Sequence, residues 1–219
     1  MKKLITFLTL GALCVVAAAS AAKPPPKTQV LAAKNAAWAC KALRTTMGTQ
    51  SFLNAYGANN ARGAGAMRNA YGKCVSQKTH ALSRSGLFES ANGTLTIAAA
   101  VGTHQAATLT ATIAGVRPIA TGSLAGAFSV DLGLKVTHAG ITCAPATGTL
   151  TLTQASPAGT LQKTLTSATF CNGPGGAALV GKYSLTGTGA FAGKTGTGSE
   201  VILAPTSGQA HSVEWGTIS

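Results

Sequence analysis

Cysteine offers this chain its best-supported chemistry. Cys14 lies inside the leader described below. Cys40, Cys74, Cys143 and Cys171 remain, and four cysteines in an exported chain predict two disulfides, with three pairings open at the outset. Metal binding is the poorer reading. There is no C-x-x-C and no close His–Cys spacing, and His80, His104, His138 and His211 are too dispersed to form a ligand set. Nucleophilic acyl transfer is poorer still. Lys194-Thr195-Gly196 spells a K-T-G triplet, but the companions it needs are missing: the S-x-x-K at Ser20–Lys23 falls at the leader junction, and S-D-N is absent. The glycine-rich stretch around that triplet is no phosphate loop either, because no helix follows to present its amides. No catalytic set, metal or cofactor is implied.

The elements that position these residues begin after a leader. Lys2 and Lys3 precede an apolar run, Leu4 to Ala19, and Ala19-Ser20-Ala21 is a small-x-small cleavage site, so residues 1–22 read as a signal peptide. Leu13 before Cys14 is too large for a lipoprotein site, and no later stretch is long and apolar enough to span a bilayer as a helix. The expected location is secreted or envelope-associated.

Residues 23–34 follow as a linker opened by a stiff Pro24-Pro25-Pro26 run. Residues 35–84 read as a small helical unit. Asn35 can cap a helix through Trp38, Cys40, Leu43 and Met47 that ends at Gly48; a short second one carries Phe52, Leu53 and Tyr56; a third begins near Ala66 with Met67, Tyr71, Cys74 and Val75 on one face. Cys40 and Cys74 both fall on apolar faces. A bridge between them would staple a unit too small to hold together comfortably alone.

Charge is concentrated in this region. The chain carries a formal net charge of +13. Residues 23–92 hold about +9 of it, with Glu89 the only acid, and residues 93–219 about +2. Lys41, Arg44, Arg62, Arg68, Lys73 and Lys78 are the candidate anion-binding side chains, suited to an anionic envelope polymer or lipid surface. Specific nucleic-acid binding is not expected, because Trp38, Phe52, Tyr56 and Tyr71 fall at core-like helical spacings rather than as a stacking platform.

Beyond this unit, residues 85–219 are mainly β. Thr/Leu/Val alternation broken by glycine gives candidate strands at Thr94–Val101, Thr108–Ile113, Gly122–Val130, Gly133–Thr137, Thr149–Gln154, Gln162–Phe170, Ala178–Thr186, Thr197–Leu203 and Ala210–Ile218. Period two with one apolar face predicts an antiparallel barrel or sandwich. Cys143 and Cys171 flank a two-strand run, and an antiparallel hairpin brings such ends together. That favours a local Cys143–Cys171 bridge over crossed pairings.

A glycine-dense corner joins two late strands: Gly187, Gly189, Gly193, Gly196 and Gly198 around Phe191, which can fold back onto the end of the barrel. The run from Tyr183 to Gly198 resembles the GTG-x-F-A-G signature of small β-barrels related to allene oxide cyclase and dirigent proteins. Lys194 and Thr195 stand where that pattern has smaller residues. The resemblance implies a barrel whose enzymatic members work inside it with carboxylates, arginine and tyrosine. Asp131, Glu200, Glu214, Arg117 and Tyr183 are what the β region offers here, and none matches a motif that carries over. The segments Cys40–Arg44, Phe52–Gly57 and Asn69–Ser76 resemble a short two-cysteine region of secreted actinobacterial proteins, which implies location and a disulfide.

The expectation is a secreted, non-catalytic binding or structural module that adheres through its basic helical unit. The alternative is a cyclase- or isomerase-like enzyme with a small hydrophobic substrate in the barrel. A hollow interior with a polar cluster including Asp131, Glu200 or Arg117 favours the enzyme; an interior filled by Leu, Val and Phe disfavours it.

Overall fold

The structure is a computed structural model that describes residues 27–57, 64–115, 117–205 and 208–219. The stretch expected to be a signal peptide and the Pro24–Pro26 run lie outside them. Two helices come first, α1 (Lys27–Tyr56) and α2 (Ala64–Arg84). Helix α1 is interrupted at Gly48, whose φ of 73° leaves the helical region as expected for a glycine stop. It starts at Lys27, earlier than the cap anticipated at Asn35.

Nine strands follow among the described residues: β1 (Leu87–Ile97), β2 (His104–Ala114), β3 (Thr121–Asp131), β4 (Val136–His138), β5 (Ile141–Gln154), β6 (Gly159–Gly173), β7 (Gly176–Gly189), β8 (Thr195–Ala204) and β9 (Gln209–Ile218). Their order in the sheet is β3-β2-β1-β9-β8-β7-β6-β5-β4, every described pairing is antiparallel, and β3 also pairs with β5. That last pairing closes eight strands into a barrel, with β4 beside the free end of β5. Closure removes the edges that so threonine-rich a sheet would otherwise present. The strand anticipated at Gly133–Thr137 is instead a 3-10 turn at Leu132–Leu134 followed by the short β4.

Alternation decides what lies inside. Leu87, Ala91 and Leu95 of β1, Leu109 and Ile113 of β2, Leu124, Phe128 and Val130 of β3, and their counterparts on β5 to β9 form one buried cluster in the barrel. Phe191, in the turn between β7 and β8, belongs to the same cluster and closes one end. Cys143 and Cys171 are direct cross-strand partners on β5 and β6, and they are bonded.

On part of the wall both faces are buried. Phe88 and Val213 pack outward against Ala32, Ala36 and Leu82 of the helices, and Ala178, Val201 and Leu203 pack outward against Ala42. Small alanine side chains let α1 lie close to the sheet. Each large apolar side chain so covered contributes roughly 1.5–3 kcal/mol relative to exposure. The helical unit is therefore docked on the barrel. It also has a small core of its own, in which Leu43, Phe52 and Ala70 surround the Cys40–Cys74 bond. Arg117, in the connection between β2 and β3, completes the docking: its Nε donates to Ser85 O at 2.7 Å, and its Nη2 to Ser83 O at 3.0 Å and Leu82 O at 3.2 Å. A guanidinium on the final carbonyls of α2 satisfies acceptors that the helix cannot, and complements its dipole.

Candidate functional site

All three glutamates of the chain point into the barrel. Glu89 on β1, Glu214 on β9 and Glu200 on β8 are successive cross-strand partners, so their side chains stand in one row. Lys163 on β6 reaches toward that row from between Leu161 and Leu165. Its Nζ donates to Glu200 Oε2 and also contacts Glu214 Oε2, the second as an ion contact without hydrogen-bond alignment. Ser212, two residues before Glu214 and on the same inward phase, donates to the other oxygen of Glu200. Tyr183 on β7 lies beside the lysine, with Nζ 5.0 Å from its ring centre. A side chain at position 198 would start 2.3 Å from the Tyr183 hydroxyl, so Gly198 makes the room for it. Within the glycine corner Gly187 is similar: a Cβ there would fall 2.1 Å from Phe191 O, and the turn that seats Phe191 would not close. Gly189 and Gly193 take positive φ in that turn, while Gly196 lies close against Thr217 O of β9.

The cluster is sealed. Lys163 and Glu200 are 0% exposed, Glu89, Glu214 and Tyr183 1%, and Ser212 2%. Along the strands it is bounded by Leu87, Leu185 and Phe191 toward the glycine corner and by Leu179 and Ile202 toward the other end. Burial dominates the electrostatics. It pushes the Glu89 carboxyl up to about 8, although Glu89 Oε1 accepts from Ile119 N at 2.9 Å and Lys163 pulls the other way. Burial also lowers Lys163, against the pull of Glu200 and Glu89, and raises Tyr183, with Glu200 and Glu89 adding to the rise. Three carboxyl groups share the cluster with a single ammonium, so they cannot all be ionised together. Glu89 Oε2, the Tyr183 hydroxyl and both Glu214 oxygens are buried without hydrogen-bond partners.

Other sequence-predicted residues are placed elsewhere. Arg117 caps α2, and Asp131 accepts from Gly133 N at 2.9 Å beside the 3-10 turn, so neither joins the interior cluster. Of the anion-binding candidates, Lys41, Arg44 and Lys73 are exposed. Lys78 is half-buried with Nζ 4.4 Å above the Trp215 ring, and burial lowers its pKa. The Arg62 and Arg68 side chains lie outside the described residues. His211 is a docking residue: Nδ1 is 2.6 Å from Asn92 Oδ1, Nε2 is 3.2 Å from Asn35 Oδ1, and the ring packs edge-on against Trp38. Burial, with Lys34 nearby, lowers its pKa. Beside it a groove of about 930 Å³ runs between α1 and the barrel wall, lined by Lys34, Trp38, Asn92 and Gln209. Among the described residues no group of three His, Cys, Asp or Glu could hold a metal ion, and no helix is long and apolar enough to cross a membrane.

Glu89 and Lys163 were missed as interior residues. For Lys163 the signal is present: it sits at the inward phase of Leu161-x-Lys163-x-Leu165. No protein-family model, curated protein or solved structure matches the chain. The two disulfides fit an oxidising compartment outside the cytoplasm.

Proposed function

We propose that this is an exported, non-catalytic binding module that adheres to anionic components of the cell envelope through the outer face of its helical unit. The observation that carries the reading is the placement of the acids. Glu89, Glu200 and Glu214 are enclosed in the barrel, so Asp131 is the one acidic side chain left to offset the exterior cations. Lys34, Lys41 and Arg44 follow one exposed face of α1 at spacings of seven and three, and Lys73, His80 and Arg84 follow one of α2 at spacings of seven and four. A field of one sign, not cancelled by neighbours, draws the protein to a polyanion or an anionic lipid surface. The groove beside Lys34 and Trp38 adds a recess in which a polymer segment can lie. The barrel serves as the rigid body.

The alternative, a cyclase- or isomerase-type enzyme acting on a small hydrophobic substrate inside the barrel, draws on the resemblance to allene oxide cyclase-like barrels and on the presence of Glu89, Lys163, Glu200, Glu214 and Tyr183. It requires space beside those groups. Their enclosure by Leu, Ile and Phe side chains supports the binding reading over it.

The test is binding to isolated cell wall and to anionic vesicles at low and high salt, for the native protein and for Lys41→Glu/Arg44→Glu/Lys73→Glu. At ~1 kcal/mol for each cation near an anionic surface, the triple variant should bind at least about a hundredfold more weakly. Native binding should fade as the Debye length shrinks from ~10 Å at 0.1 M to ~3 Å at 1 M salt. Binding that ignores salt, or a variant that binds like the native protein, removes the proposal.

A further inference from the structure

The interior cluster has the parts of a self-condensing cross-link. We infer that Lys163 and Glu214 join spontaneously in the folded barrel, forming an amide between Nζ and Cδ that ties β6 to β9 across the interior. The pairing stands on geometry. Lys163 Nζ contacts two carboxyl groups, and the two are held differently. Glu200 accepts from Lys163 at one oxygen and from Ser212 at the other, so both of its oxygens are held by donors. Glu214 touches Nζ, yet neither of its oxygens has a hydrogen-bond partner. It is a buried carboxyl held by no hydrogen bond, facing the Lys163 amine. Glu89 stands directly across the strand pair from it as a third carboxyl, with Oε2 free of partners.

The protons and bonds balance without any added reagent. In the starting state Lys163 is an ammonium, Glu200 a carboxylate, and Glu214 and Glu89 are neutral acids. Lys163 passes one proton to Glu200, and its lone pair attacks Cδ of Glu214. As the C–N bond forms, the carbonyl π pair moves to oxygen, with the Glu89 proton assisting. On collapse the C–OH bond breaks, the hydroxyl leaves with a proton as water, and the amide nitrogen returns its extra proton to the carboxyl groups. Nζ retains one hydrogen, one water is released, and Glu200 and Glu89 end as neutral acids. A buried ion pair is replaced by a neutral amide, which removes the cost of holding two charges in an apolar interior. Burial already favours the neutral amine of Lys163 and the protonated form of Glu89. Fixing both reactants in contact supplies the proximity that, in intramolecular reactions, corresponds to effective concentrations of roughly 10⁵–10⁸ M.

The consequence is mechanical. Strands β6 and β9 are not neighbours; β7 and β8 lie between them. An amide at this point closes the last four strands into a covalent loop. With the Cys143–Cys171 bond it leaves the barrel difficult to unravel from its C-terminal end, a useful property outside the cell.

The native protein tests this without a variant. After denaturation, reduction and alkylation, the intact mass should be lower by one water than that of the same chain unlinked. Trypsin should fail to cut after Lys163, leaving peptide 136–182 joined to peptide 195–219, with fragment ions that place the branch at Glu214. An unlinked mass with normal cleavage after Lys163 overturns the inference. A branch at Glu200 overturns the choice of acyl donor. Lys163→Arg must abolish the mass loss. Glu200→Gln, which keeps an acceptor for Ser212 but removes the base, should lower the linked fraction in freshly folded protein; an unchanged fraction overturns the role given to Glu200.

Discussion

Glu89 makes the stability of the barrel fall as pH rises, the reverse of what a salt-bridged carboxylate does. In the unfolded chain its carboxyl ionises near the ordinary value of 4.5, whereas in the barrel burial holds the proton until about pH 8. Between those values the native state binds one proton more than the unfolded state, so the unfolding free energy declines with pH. The contribution is fully present below pH 4.5 and is lost as pH rises through about 8. At 1.36 kcal/mol per pKa unit, a window of about three and a half units gives ~5 kcal/mol in total and a slope of ~1.4 kcal/mol per pH unit. Glu89→Gln isolates this. Glutamine has the shape of the neutral acid, and its Oε1 can still accept from Ile119 N. The assay is chemical denaturation of native protein and variant at intervals from about pH 5 to about pH 8.5. The readout is the difference in slope, which is insensitive to any constant offset from the substitution. The native protein should lose stability across the window and the variant should lose ~1.4 kcal/mol less per unit. Parallel slopes would mean that Glu89 is ionised in the folded state, and the account of the interior would fail.

The other two predictions concern closure and docking. Phe191→Ala removes the side chain that seals the barrel end at the glycine corner; it should cost about 3 kcal/mol and lower the Tm by ~6–12 °C, and a thermal melt that shifts by less than a degree or two would show that Phe191 does not bear on the core. Arg117→Ala removes the donor to three carbonyls at the end of α2; amide exchange in the last turn of α2 should accelerate by about tenfold or more while exchange in β5 to β7 stays constant, since hydrogen bonds from a charged donor contribute about 1.5–3 kcal/mol. Uniform acceleration across the barrel, or none, would contradict the docking role.

Much of the barrel was legible because its sheet is threonine outside and leucine inside. Leu150 and Leu152 against Thr149, Thr151 and Thr153 is contrast enough to place a strand and its inward face. The contrast vanishes where the helices cover the wall. Leu87-Phe88-Glu89-Ser90-Ala91 is buried on both faces, so the start of β1 lacks alternation; the first candidate strand begins only at Thr94 and leaves Glu89 outside it. Outward Phe88, Val201, Leu203 and Val213 occupy phases where an exposed sheet would carry threonine, and they are the trace the docked helices leave in the sequence. Closure through β3 and β5 has no local signal, because it depends on strand tilt and number around the whole barrel. The disulfides were accessible for a simpler reason: both pairings are local within their units.

The distribution of acids joins the interior to the exterior. A chain with four acidic residues and seventeen basic ones has little negative charge to spend on surface ion pairs. Placing three of the four inside the barrel makes the outside more cationic than composition alone implies, and it concentrates in one enclosed space groups that cannot all ionise. Buried charges cost several kcal/mol each unless well paired, and one lysine can pair well with one carboxylate. The remaining two must hold protons, be neutralised by reaction, or destabilise the fold. Glu89 is accounted for by protonation. Glu214, in contact with Lys163, is the one of the two with neither oxygen hydrogen-bonded, so protonation alone leaves its whole carboxyl unsatisfied in the core. Condensation with Lys163 resolves both the excess acid and the buried ammonium in a single step. It also leaves the exterior charge, on which adhesion rests, unchanged.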